Sequence, residues 1–265
     1  KKKMRIFINF FLLLITTSSF AVTFEGKFIQ GSFILGKTES NHEVFIDKKK
    51  VKVSPEGYFA FGLSRDRKND VVIKINKKKI VKKILKREYK IQRIDGLEEK
   101  KVTPPEEVYE RIKRENKWIG EARAINSDLN FFKNKFINPL DNAIVTGVYG
   151  SQRILNGKPK WPHYGVDFAA KEGTKIKAML DGVVTLVEPD LFYTGGTLIF
   201  DHGHGISTLY MHMKKILVKK GQKVKQGDII GTVGSTGRST GAHLDVRLNW
   251  FDVRLDPATV LNLKK

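Results

Sequence analysis

The residues HYGVD at positions 163–167 decide how the C-terminal half of this chain is interpreted. Two further short motifs follow, LYMH at residues 209–212 and HLD at residues 243–245. Histidine and aspartate at such spacings can hold a divalent metal and move protons beside it. Five of the six histidines of the chain lie from residue 163 to residue 243. The three motifs therefore predict one metal-dependent hydrolytic site.

Strand geometry limits how these motifs can meet. His243 and Asp245 are two residues apart, so on a strand their side chains face the same way. His163 and Asp167 would lie about 13 Å apart in a fully extended segment, which is too far for one metal. The segment must therefore bend, and Gly165 permits this. Ligation by one histidine and two aspartates (163, 167 and 245) would leave a fourth position for water, as a metal hydrolase needs.

The other histidines have separate interpretations. His212 and His243 could take and return protons near neutral pH beside the metal. His202 and His204 lie beside glycines at a strand end, which favours turn or core-edge roles over ligation. Arg247 shares the face of Asp245 by period two, and could either partner a carboxylate or be solvated.

The motifs, taken in this order, resemble the lysostaphin-like (LytM-type) peptidoglycan metallopeptidases over about residues 131–257. The resemblance rests on HYGVDFAA, the following EGT, AMLDGVV, the Y-x-H strand, GQKVKQGDIIG and GSTGRSTGAHLD. It implies an antiparallel β domain and a zinc endopeptidase that cuts peptide stems or cross-links of bacterial cell walls. It further implies that His163 and Asp167 bind zinc, and that His212 and His243 act in catalysis.

Asp245 departs from the usual pattern of that family, which ends in H-x-H with a histidine as the third zinc ligand. Aspartate is also a competent zinc ligand. Two carboxylates would neutralise the formal charge of the metal and favour harder ions such as manganese. The tail RLNWFDVRLDP resembles a Gram-negative branch in which aspartate occupies this place. We therefore expect one Zn²⁺ per chain, or another divalent ion.

The N-terminus predicts export. Residues 1–21 read as a cleavable signal peptide, with a basic start, an apolar stretch of about ten residues and small residues at the cleavage positions. That stretch is too short for a comfortable membrane span. We therefore expect a periplasmic protein.

The rest of the chain predicts a mainly β fold in three parts. Residues 22–102 read as short strands of a small immunoglobulin-like β-sandwich that serves as an accessory domain. Residues 103–130 read as a linker helix, with Thr103 as cap and Glu106 completing a capping box. This helix would pack on a neighbouring domain or, alternatively, lie over the active groove as a regulatory arm. Residues 131–265 would form the LytM-type metallopeptidase domain.

The net charge of the chain limits the kinds of binding partner that we expect. The chain has 49 Lys and Arg against 28 Asp and Glu, a formal net charge of +21. Peptidoglycan is the expected substrate, and an anionic envelope surface could hold the protein near it. Nucleic acid is not expected, because the basic runs lack interleaved aromatic residues and the chain looks exported. If the charge acts in this way, high salt should weaken binding to isolated envelopes.

Two other classes of function remain to be distinguished. The first is a non-catalytic LytM-type protein that binds the wall and activates or recruits amidases or other wall hydrolases at division sites. The retained histidines and aspartates argue against it, because a scaffold would not need them together. The second is a lipoyl- or biotinyl-type carrier, whose sheets share the glycine-spaced hairpins of residues 218–231. A carrier offers no reason for the histidine cluster.

Overall fold

The computed structural model describes residues 21–142 and 144–263. The predicted signal peptide, apart from Ala21, lies outside the described residues. Within those ranges, no helix combines the length and the apolar character that crossing a membrane would require. The predicted fold class is confirmed, since the chain is mostly β with mainly antiparallel sheets.

Seven short strands form the N-terminal part. They are β1 (Thr23–Glu25), β2 (Phe33–Lys37), β3 (Val44–Ile46), β4 (Lys49–Val51), β5 (Tyr58–Gly62), β6 (Val71–Ile75) and β7 (Lys78–Lys82). Two antiparallel sheets result, with the orders β1-β2-β5 and β4-β3-β6-β7. The first, second and fifth strands thus lie in one sheet and the third, fourth, sixth and seventh in the other. This is an immunoglobulin-like arrangement in which β4 pairs with β3 rather than with β5.

Strand β6 shows why these residues form a sandwich. Val71, Ile73 and Ile75 are fully buried, while the residues between them face outward. This alternation places every second side chain in the core. The loop to β7 is two residues long, and Asn76 there has a φ of 49°, which asparagine tolerates in tight hairpins.

A short strand and two helices connect the sandwich to the C-terminal part. They are β8 (Ile91–Ile94), α1 (Glu99–Val102), a 3₁₀ turn (Glu106–Val108) and α2 (Tyr109–Arg123). The predicted capping box is wrong: Thr103 follows α1, and no side chain caps the 3₁₀ turn. The cause is the Pro104-Pro105 pair, because a residue before proline avoids the helical region. The helix therefore starts only after the second proline.

Twelve strands follow in the C-terminal part. They are β9 (Ile144–Gly147), β10 (Gln152–Leu155), β11 (Lys158–Pro159), β12 (Val166–Ala169), β13 (Lys175–Lys177), β14 (Gly182–Leu191), β15 (Gly195–Gly203), β16 (Ile206–Ile216), β17 (Lys223–Val224), β18 (Ile229–Val233), β19 (His243–Trp250) and β20 (Val253–Leu255). Short 3₁₀ turns occupy Phe131–Lys133 and Pro257–Thr259.

Most of these strands belong to one large sheet. Its main path runs β17-β14-β15-β16-β19-β12-β9, and β13, β18 and β20 pair at its sides. Strands β10 and β11 leave this sheet and pair instead with β8, which runs parallel to β10. The order puts β16, β19 and β12 side by side, and these strands carry His212, His243, Asp245 and Asp167, while His163 lies in the segment just before β12.

Candidate metal centre

Pairing of β12 with β19 brings two carboxylates together. Asp167 and Asp245 are direct partners across this antiparallel pair, so both side chains lie on the same face. His163 lies four residues before Asp167, and its ring fits between the two carboxylates. Its Nε2 is 3.2 Å from Asp167 Oδ1, and its Nδ1 is 4.0 Å from Asp245 Oδ2. All three residues are buried, with ligand atoms within 4.8 Å of one another.

The hydrogen bonding of this cluster fits a metal. The 3.2 Å contact between His163 Nε2 and Asp167 Oδ1 lacks hydrogen-bond geometry, so neither of these atoms, nor His163 Nδ1, has a hydrogen-bond partner among the described residues. Buried polar atoms without partners are costly and rare. Here they lie together, and one imidazole with two carboxylates is a donor set that zinc accepts. The residues present therefore fit a divalent cation.

Two arginines hold the carboxylates in place. Arg153 donates from Nη2 to Asp167 Oδ2 at 2.7 Å, which leaves Oδ1 free for a metal. Arg247 donates from Nη2 to Asp245 Oδ2 at 3.0 Å. Burial alone would raise the pKa of each carboxyl. His163 and Arg153 outweigh it at Asp167, and Arg247 and His163 outweigh it at Asp245, so both pKa values are lowered. Both side chains are therefore anionic, as metal ligands must be.

Gly147 and Gly165 leave room for the same carboxylates. A Cβ atom at Gly165 would collide with Asp245 Oδ1, and one at Gly147 would collide with Asp167 Oδ2. Neither glycine has a positive φ. Gly165 does sit at a bend, but the structural requirement for glycine there is space.

His212 and His243 form a pair beside the cluster. Their ring centroids are 4.6 Å apart. His212 Nδ1 lies 2.7 Å from the Thr236 carbonyl, and His243 Nδ1 lies 2.8 Å from the Gly241 carbonyl. A carbonyl can only accept, so in each ring Nδ1 carries the proton and Nε2 keeps a lone pair. Burial, reinforced by the neighbouring His243, lowers the pKa of His212 to about 4.

Two of the other histidines, His202 and His204, have structural contacts. His202 is buried, with Nδ1 2.7 Å from the Asp181 carbonyl and Nε2 2.8 Å from Thr208 Oγ1. His204 packs its ring against Phe132 at 4.6 Å between centroids. Neither belongs to the cluster of candidate ligands.

Segments outside the metallopeptidase-like region complete the walls of the site. A cavity of about 680 Å³ next to the cluster is lined by Asp245 and His212 on one side and by residues of α2 on the other. A smaller cavity of about 270 Å³ is lined by Asp167, His243 and residues of β8.

Sequence reasoning missed several residues of the site, Arg153 among them. It lies 14 residues before Asp167, on a strand of another sheet, and no periodic pattern connects the two positions. The only local signal was that Arg247 shares a strand face with Asp245.

The antiparallel sheet and the buried His-Asp-Asp cluster define a β-sheet domain with a candidate metal centre. A family model described as Peptidase family M23 matches residues 161–257. These residues therefore form a peptidase M23 domain, which confirms the resemblance to LytM-type enzymes.

Two curated relatives come from Vibrio cholerae. The peptidoglycan DD-endopeptidase ShyA is 47% identical over 87 residues, covering 33% of this chain and 20% of ShyA. The peptidoglycan DD-endopeptidase ShyC is 38% identical over 125 residues, covering 46% of this chain and 28% of ShyC. The chain thus matches less than a third of the length of either relative.

A solved structure is similar over much more of the chain. The crystal structure of a Pseudomonas aeruginosa protein provisionally named peptidase M23 matches with a TM-score of 0.67 and 26% identity. The match covers 88% of this chain and 95% of that chain. The shared architecture therefore extends beyond the M23 domain.

Proposed function

We propose that this protein is a zinc-type metalloendopeptidase that hydrolyses peptide stems or cross-links of bacterial peptidoglycan. The observation that carries the proposal is the convergence of His163, Asp167 and Asp245, with buried ligand atoms that lack hydrogen-bond partners. The names of ShyA and ShyC, both peptidoglycan DD-endopeptidases, support the same substrate class.

The proposed metal site combines the chemistry of a bound cation with residues that orient its ligands. A divalent cation bound there would polarise a peptide carbonyl and make a water molecule acidic enough to lose a proton near neutral pH. Arg153 and Arg247 would fix the orientation of the carboxylate ligands, a role whose loss commonly weakens metal sites. Zinc is the expected metal. Because two of the three proposed ligands are carboxylates, a harder divalent ion such as manganese is the alternative.

The histidine pair would move the protons. We assign the general base to His243, because its ring is only partly buried and water can reach it. His212, once it has taken up a proton at Nε2, would stabilise the developing oxyanion or protonate the leaving amine. Its lowered pKa means that a proton taken up there is readily released. The two roles could be exchanged.

The proposed setting is the periplasm, reached through a cleavable signal peptide at residues 1–21. The proposed domains are the accessory sandwich (22–102), the linker helix (103–130) and the peptidase domain (131–265). The basic surface would hold the enzyme near anionic envelope components, in a manner that salt weakens.

The decisive experiment compares the protein with Asp245→Ala on purified peptidoglycan, and identifies the released products by mass. We expect the protein to release peptides when supplied with Zn²⁺ or Mn²⁺ and to stop when a chelator is added. Loss of a direct ligand should lower metal affinity by about 100-fold or more, because losing even an indirect partner costs about 10- to 100-fold. Asp252→Ala, at an exposed aspartate on the turn after β19, is the matched control.

The same experiment separates the proposal from its rival. A protein that binds the wall but releases no peptide with any divalent metal would be the non-catalytic wall-binding protein instead.

A further inference from the structure

The larger cavity beside the candidate metal centre carries an unbalanced positive charge. Asp245 is the single carboxylate among its described lining residues. Six basic side chains line the same space: Arg123, Arg153, Lys160, Arg238, Arg247 and Arg254. Like charges in a partly enclosed space repel each other strongly, because little water screens them. Such a cavity favours an anionic occupant.

Two of the arginines are already neutralised. Arg153 pairs with Asp167 at 2.7 Å, and Arg247 pairs with Asp245 at 3.0 Å. In contrast, no carboxylate among the described residues lies within ion-pair distance of Arg123 or Arg254. Lys160 and Arg238 also have no carboxylate partner among the described residues, but Arg123 and Arg254 are the unpaired charges that lie together where α2 meets the strands β19 and β20.

Arg123 is the more unusual of the two. Only 9% of it is exposed, and its Nε has no hydrogen-bond partner among the described residues. One of its five donors is used, from Nη2 to the Phe251 carbonyl at 3.0 Å. That bond helps to anchor the end of α2, but a neutral donor would serve the purpose equally well. Burial, together with the charges of Arg254 and Arg247, lowers the pKa of Arg123 to about 10.

Arg254 is held in a fixed orientation. Its guanidinium lies over the Tyr164 ring, 4.6 Å from the ring centroid. Stacking on an aromatic face restrains the planar fork while leaving its donors available at the edge. A pre-oriented guanidinium of this kind suits two-point binding of a carboxylate.

The rest of the lining indicates the class of ligand. Leu209, Met211 and Ile119 supply apolar surface, and Asn249 supplies an amide. The volume of about 680 Å³ falls in the range of small-ligand sites, about 300–1,000 Å³. An extended peptide with a free carboxylate matches this mixture of charge, polarity and apolar surface.

We propose that Arg123 and Arg254 form a carboxylate-binding subsite for an acidic peptide, next to the metal centre. The subsite would take a free carboxylate of a peptidoglycan stem peptide and so place the neighbouring peptide bond at the cluster. This assignment of the substrate rests on the proposed function, whereas recognition of a carboxylate does not depend on cleavage. Helix α2 then contributes to binding, since it supplies Arg123.

Direct binding tests the subsite. The probes are a peptidoglycan stem tetrapeptide and the same peptide with every carboxylate converted to a carboxamide. Binding to the full chain is measured by calorimetry, with peptide integrity checked by mass, and repeated after chelation so that metal–carboxylate bonds are not counted. We expect the acidic peptide to bind at least about tenfold more tightly, because charge-assisted hydrogen bonds are lost in the amide.

Variants assign that preference to the two arginines. Arg123→Gln and Arg254→Gln should each reduce the preference for the acidic peptide by about tenfold, with little change for the amidated one. Lys113→Gln, on the exposed face of the same helix, is the control and should keep the full preference. Thermal unfolding of each variant identifies any that fails to fold. The comparison of the two peptides on the unsubstituted protein tests the subsite even if both variants fail to fold.

Equal binding of the two peptides would overturn the subsite, as would folded arginine variants that keep the full preference. Cleavage of purified peptidoglycan is scored separately. A chain that prefers the acidic peptide but cuts no wall would contradict the proposed function and leave the subsite intact. A chain that cuts the wall but binds the acidic and the amidated peptide equally well would support the proposed function and contradict the subsite.

Discussion

Single residues around the candidate ligands set both the space and the charge of the site. Gly165 lies against the Asp245 carboxylate, and Arg247 binds that carboxylate from another direction. The Asp245 carboxylate is therefore held in one position, and the His163 ring lies beside it. The position of each ligand atom therefore depends on a neighbour that does not itself ligate, as is usual in metal sites.

Replacing Gly165 with alanine tests this dependence. The added methyl group would collide with Asp245 Oδ1 and with the backbone carbonyl of Val246, so the carboxylate or the strand that carries it must shift. We expect divalent-metal affinity to fall by about 10- to 100-fold, the range typical of disturbed supporting groups. Isothermal titration with Zn²⁺ measures it. Gly120→Ala, at an exposed position of α2 where a Cβ meets nothing within 4 Å and the backbone is helical, is the control; unchanged metal affinity in Gly165→Ala would contradict the steric argument.

His202 makes the stability of the fold depend on pH. Burial lowers its pKa to about 4, whereas a histidine in an unfolded chain titrates near 6.5. Between these values the unfolded state binds more protons, so folding is favoured as pH rises. The contribution is fully present above about pH 6.5, and is lost as the pH falls through about 4.

Urea unfolding at pH 7, 5.5 and 4.5, in the presence of a chelator, measures the loss. The pKa difference corresponds to about 3 kcal/mol across the whole window. In His202→Gln the decline between pH 7 and 4.5 should be smaller by most of this amount. An equally steep decline in the variant would show that other groups cause it.

Helix α2 is an element with two functions in the structure. One face packs on the large sheet, where Ala122 joins Leu186, Ile199 and Leu209 in a small hydrophobic cluster. Other residues of the helix line the cavity beside the candidate metal centre. The sequence alone allowed a helix that packs on a neighbouring domain or one that covers the groove. The contacts show that it packs on the sheet and also forms one wall of the cavity.

Glu115 is the main polar anchor of this helix. It is 5% exposed, and its carboxylate accepts from Arg111 Nε at 2.6 Å and from the backbone N–H of Phe192 at 2.7 Å. We expect Glu115→Ala to lower the free energy of unfolding by about 2 kcal/mol, because two donors lose their acceptor. Limited proteolysis should also cut residues 103–126 faster. Glu110→Ala, at an exposed position of the same helix, should change neither result.

Across the whole molecule, the two β-rich parts are in direct contact. Leu255 of the C-terminal part packs against the backbone at Gly62 of the sandwich. Arg87 reaches from the end of the sandwich to Asp256, with Nη1 2.7 Å from Oδ2. The site is thus assembled on a frame to which both parts contribute.

The Arg87–Asp256 pair should matter for stability because the Asp256 side chain is only 5% exposed. Arg87→Ala would leave a buried carboxylate without its counter-charge, which typically costs about 3 kcal/mol. Urea unfolding at pH 7 measures this, with exposed Lys86→Ala as the control. A variant as stable as the parent would mean that solvent compensates for the lost partner.

The sequence by itself determined the parts of the fold that follow from local patterns. The pattern of residues 22–102 predicted short strands, of which β6 is one, and the observed helix Tyr109–Arg123 lies within the predicted linker helix of residues 103–130. The His and Asp motifs selected the three residues that the structure brings together. Their roles as ligands remain a prediction that metal titration must test.

Only the tertiary structure decided which distant segments complete the site. Arg153 meets Asp167 because β10 leaves the large sheet and pairs with β8, and Arg123 reaches the cavity because α2 crosses it. Such contacts join residues far apart in the chain, so no local period predicts them. The physical reason is that pairing and burial between remote segments depend on the whole packed arrangement, while a sequence pattern reports only on neighbours within a few residues.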